Sequence, residues 1–112
     1  MKHIILFAIA LVLFACGGVK LAVPTAEDAT RGGELFEGMT LADLEHGKML
    51  YEKNCDQCHK LKDPKLYTAE SLDETVPNMV NMLNDNAGKE LVTEEQTELI
   101  RKYMITMGPG AN

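Results

Sequence analysis

Cys55-Asp56-Gln57-Cys58-His59 gathers two of the three cysteines and one of the three histidines of this 112-residue chain into five positions. Two thiols at this spacing, on a turn or at the end of a helix, reach the two vinyl groups along one edge of a haem. An imidazole at the next position turns toward the iron. Attachment and ligation thereby share one turn. Other chemistries also use paired cysteines. A thioredoxin-like pair needs its first cysteine at a helix N-terminus inside a βαβ pattern, and no alternating or continuous β-branched run is present to build one. A structural zinc site needs four ligands; beyond Cys55, Cys58 and His59 the remaining candidates are His46, His3 and Cys16, and the last two fall in an apolar leader. A plain disulfide between Cys55 and Cys58 leaves His59 without a role.

Toward the N-terminus, Lys2 and His3 precede twelve uninterrupted apolar residues, Ile4 to Ala15. As a helix these cover about 18 Å, short of the ~20 residues that span a bilayer. Residues 1–15 therefore read as a secretory signal peptide. Its end, Leu13-Phe14-Ala15-Cys16, resembles a bacterial lipobox with Cys16 as the first mature residue. That resemblance implies a lipidated Cys16 and a protein hung from a membrane by acyl chains. It also accounts for the odd cysteine, a reactive thiol otherwise in an oxidising compartment. Ordinary signal cleavage, with Cys16 a bystander, is the alternative. Residues 16–39 read as the lipidated N-terminus and a flexible linker, punctuated by Gly17-Gly18, Pro24, Gly32-Gly33 and Gly38. Leu35, Phe36 and Met39 either dock onto the domain as a small apolar lip or, the favoured reading, stay loosely packed.

Residues 40–112 make one small domain with a thin core. All three Phe precede it, Trp is absent, and Tyr51, Tyr67 and Tyr103 supply its only aromatic bulk. So small a core is marginal alone; a buried haem would supply the missing apolar mass, and the chain without it is expected to be largely unfolded. Three helices are expected. The first runs from about Leu41 to Lys53, with Thr40 as N-cap and Asp43 at N3. Gly47, Tyr51 and Cys55 then share one face. A glycine inside a helix costs ~1 kcal/mol relative to alanine, and the close approach of another helix explains its presence. That partner is the last helix, opened by the capping box Thr93-Glu94-Glu95-Gln96, striped by Leu99, Ile100, Tyr103, Met104 and Met107, and ended by Gly108-Pro109. The middle helix, capped by Thr68 or Ser71, carries Leu72, Val76, Met79, Val80 and Leu83, and Pro77 is expected to kink or restart it.

Gly47, Tyr51 and Cys55, then Cys58-His59, then Ile100 and Tyr103 resemble the class I cytochrome c pattern. In that family a glycine and an aromatic of the first helix cross an aliphatic and an aromatic of the last. The resemblance spans roughly residues 40–107 and is nearest to small bacterial single-haem members. It departs from longer members in leaving only about thirty residues between His59 and the last helix. It implies an all-α, class I cytochrome c-like fold of about three helices around one covalent haem c. The expected protein is a single-electron carrier rather than an enzyme, with Cys55 and Cys58 attached, His59 proximal and a soft sixth ligand from the middle segment. Helix phase favours Met79, on the side of Leu72, Val76 and Leu83, whereas Met82 lies roughly 100° away. A methionine at helical spacing is more often packing than ligand, so Met82 and His46 stay open. The turn Lys62-Asp63-Pro64 could offer a carbonyl to the other nitrogen of His59. Two rivals remain: a haem-based sensor with an open sixth position, and an accessory haem subunit of a respiratory complex. A two-haem peroxidase is disfavoured by the single attachment motif.

Seventeen acidic against eleven basic residues give a net charge of −6, which argues against a nucleic-acid partner. Lys53, Lys60, Lys62 and Lys65 nevertheless cluster around the motif. They either steer acidic redox partners or form a solvated face. The expected setting is the periplasmic side of a bacterial membrane, lipid-anchored, among redox proteins in or near that membrane.

Overall fold

A threonine opens each described α-helix in the computed structural model of the chain, which describes residues 19–55 and 60–111. Helix α1 (Ala26–Leu35) follows Thr25, α2 (Leu41–Cys55) follows Thr40, α3 (Ala69–Ala87) follows Thr68 and α4 (Glu94–Met107) follows Thr93. A threonine hydroxyl accepts from the amide three residues on and satisfies one of the amides that a helix start leaves unpaired. At Thr25/Asp28, Thr40/Asp43 and Thr93/Gln96 the downstream side chain returns the bond to the cap amide, completing a capping box. Thr68, not Ser71, caps α3, accepting from the Ser71 amide at 3.0 Å. Two short 3-10 turns, Pro64–Leu66 and Pro109–Ala111, complete an all-helical fold with no strand among the described residues.

The fold is organised by α4. Helix α2 crosses it where Gly47 meets the Leu99 carbonyl; a Cβ added there would also lie 2.7 Å from the Tyr103 Cβ. The expected reason for a helical glycine is thus the observed one. Leu44, Leu50 and Tyr51 from α2 are buried with Ile100 and Tyr103 from α4, and the two tyrosine rings sit 6.4 Å apart, tilted by 42°. Helix α3 packs on another side of α4 through Leu72, Val76 and Val80. Arg101 ties the pair together, bonding Asp73 of α3 at 2.6 Å and Glu98 of its own helix at 2.9 Å. Helices α2 and α3 each pack on α4 and hardly on each other.

Two expectations meet a different structure. Residues 26–35, read as part of a mobile linker, form α1, which packs on the C-terminal half of α4. The Arg31 guanidinium reaches both Asp28 at 2.8 Å and the Thr106 carbonyl at 3.1 Å. Phe36 is half-buried rather than loose, with the cations of Arg101 and Lys102 at 5.2 and 5.8 Å from its ring centre. Such cation–π contacts are worth roughly 0.5–1 kcal/mol each at exposed sites. Of the expected lip, Met39 also packs against the core, and Leu35 stays largely exposed. The second difference is Pro77, which does not restart the helix: α3 is continuous through it. The lost amide bond is outweighed because Leu72, Val76 and Val80 anchor the helix to α4 on both sides of the proline.

Helix α3 ends at Gly88, whose φ of +67° is a left-handed conformation that suits glycine. The next loop is stapled back by Asn84, whose amide donates to the Val92 carbonyl and accepts from the Leu91 and Val92 amides. None of the described helices is long and apolar enough to cross a membrane.

Candidate haem-binding cleft

Because α2 and α3 lean on α4 without closing on one another, a cleft of about 290 Å³ lies between them. Its floor is apolar, made by Ile100 and Met104 of α4 and flanked by Leu72 and Val76 of α3. Cys55, the last residue of α2, stands in one wall and Met79 of α3 in another. Tyr51, Lys62 and Tyr67 add polar atoms. A second space of about 120 Å³ adjoins the first, sharing Cys55, Met79 and Val80 and adding Met82 and Asn54.

One face of α2 serves both regions. Gly47 and Tyr51 are buried at the crossing with α4, and one turn later Cys55 opens half-buried into the cleft. Asn54, just before it, is buried and donates to the Leu50 carbonyl at 2.9 Å. The chain leaving the motif region is tied to the same helix. The Tyr51 hydroxyl donates to the Lys62 carbonyl at 2.8 Å and accepts from the Lys62 amide at 3.0 Å. Asp63 then caps the Pro64–Leu66 turn by accepting from the Lys65 amide, and Pro64 is buried. Burial raises the Tyr51 phenol above its ordinary pKa, and Tyr103 is raised further by the same desolvation.

Cys55 and Met79 thus come together in one cleft. Cys58, His59 and the lipidation candidate Cys16 lie outside the described residues. Met82 is 64% exposed and touches only the smaller space. His46 is exposed and lines neither. Lys53, Lys60, Lys62 and Lys65 are all exposed. The sequence reading did not single out Thr75 or give Tyr67 a place, yet both line the larger space. Thr75 shares the phase of Leu72, Val76 and Met79, so helix periodicity was a signal for it; Tyr67 depends on the path of the chain after Pro64, for which no local signal exists.

The donor set suits a flat apolar cofactor with a soft metal: a thiol for covalent attachment, a thioether on the facing helix, and aliphatic walls. A space of this size falls near the lower end of cofactor and ligand pockets, about 300–1,000 Å³. Comparison of the chain with family models, with curated proteins and with solved structures finds no match.

Proposed function

We propose that the protein is a single-electron carrier with one covalent haem c, attached through Cys55 and Cys58 and ligated by His59 and Met79, in a class I cytochrome c-like arrangement. One observation carries the reading: the apolar cleft between α2 and α3 has Cys55 and Met79 in its walls. When bound, the haem supplies a one-electron iron couple. The His59 imidazole and the Met79 thioether would both hold the iron and leave no site on it for a substrate, which favours a carrier over a catalyst. A His/Met pair also raises the reduction potential relative to more donating pairs. Leu72, Val76, Ile100 and Met104 give the cleft an apolar lining against which a porphyrin would pack. The exposed Lys53, Lys60, Lys62 and Lys65 would steer acidic redox partners, with rates that fall as salt rises. Export and lipidation at Cys16 would hold the carrier at the periplasmic side of a bacterial membrane, near such partners.

The test is the visible spectrum of the exported protein, oxidised and reduced, with and without CO. The expected result is a covalent haem with a methionine–iron charge-transfer band and no response to CO. Met79→Ala should lose that band and admit CO; an unchanged spectrum transfers the ligand to Met82 or His46. A chain that carries no haem overturns the proposal. A second reading, a haem-based sensor with an open sixth position, draws on the additional space beside Met79. Rapid CO binding by the unaltered protein would select it.

A further inference from the structure

The Tyr51 ring belongs to the α2–α4 crossing, but its hydroxyl engages a different part of the chain. One phenol serves both the N–H and the C=O of Lys62, three residues beyond His59, at 3.0 and 2.8 Å. We propose that Tyr51 is a positioning residue for the proximal ligand: its hydroxyl pins the backbone that leaves the haem motif to α2. This role rests on the reading of His59 as that ligand. The chain on each side of residues 56–59 is then fixed to the same helix, by continuity at Cys55 and by the phenol at Lys62.

Three features support the assignment. Tyr51 is only 5% exposed and both of its bonds to Lys62 are partly buried, so a missing partner there is costly. Both bonds fall on one residue, which fixes the direction of the backbone as well as its position. The pin is continued by the Asp63-capped turn and the buried Pro64, so the segment after Lys62 has a firm anchor to work against. Partners that orient a metal ligand tune the metal they do not touch.

The experiment compares full-length Tyr51→Phe, unaltered protein and Thr93→Ala, the last a loss of helix cap remote from the cleft. Haem content, amide exchange at Lys62 and reduction potential are read on all three. The expected result is equal haem content, with Lys62 exchange about tenfold faster in Tyr51→Phe, one hydrogen bond's worth of protection, and a shifted potential. Thr93→Ala should move neither. Haem present with unchanged exchange, or faster exchange with an unmoved potential, overturns the positioning role and leaves the carrier reading standing. Absence of haem from the unaltered protein overturns both.

Discussion

Helix α2 is packed to backbone contact at its middle and left partly uncovered at its end. At Gly47 it lies against the Leu99 carbonyl, whereas at Cys55 it faces the cleft rather than α3. The difference comes from side-chain size. A position without a side chain lets α2 approach α4 closely, while Leu72, Val76 and Val80 turn α3 toward α4 and away from α2. Tight packing in one place creates the opening in the other, because a helix braced on α4 is not free to collapse onto its neighbour.

The contrast predicts unequal responses. Gly47→Ala should have the largest effect, about 3 kcal/mol of lost stability at the upper end for overpacking, because backbone rather than a flexible side chain must yield. Urea denaturation measures it, and a loss below about 1 kcal/mol would mean the crossing is softer than drawn. Val76→Ala, beside existing space, should cost about 1.5 kcal/mol from the two carbons removed, with less strain. Thr93→Ala removes a cap and should cost about 1 kcal/mol, wherever the site lies. A cost for Val76→Ala equal to that at Gly47 would erase the distinction between packed crossing and open cleft.

Acid should have the smallest effect. The hydrogen bond from Arg101 holds the Glu98 carboxyl below its ordinary pKa. Burial works against Asp28, but its bonds to Arg31 and Thr25 also bring it below the usual range. Both carboxyls bind protons less readily folded than unfolded, so their contribution is complete above about pH 5 and is lost as pH falls through the lower folded values. These pairs are solvent-accessible and the loss is correspondingly small. Denaturation midpoints at pH 7 and pH 3, compared with those of Arg101→Gln, isolate the Glu98 share; an identical acid shift in the variant would remove Arg101 as the cause.

Much of this could be read before folding. Thr40 with Asp43 and Thr93 with Gln96 are local patterns, complete within one helical turn, and the capped helices follow from them. Helix phase alone put Gly47 against another helix and separated Met79 from Met82. Helix α1 was missed although Thr25 and Asp28 repeat the signal used at Thr40, because Gly32-Gly33 reads as linker unless α4 is there to pack on. The Asn84 staple and the Tyr51 bonds to Lys62 were illegible, since each depends on where a loop returns.

By itself, then, the sequence marked α2, α3 and α4, the caps at Thr40 and Thr93, the close-approach face of α2, and Cys55, Cys58, His59 and Met79 as candidates for the site, all of which depend on residue type and short-range spacing. Only the tertiary structure decided that α1 docks on α4, that Pro77 leaves α3 whole, and that Cys55 and Met79 share one cleft. Those outcomes turn on which faces compete for α4, and that competition is settled by packing among segments distant in the chain.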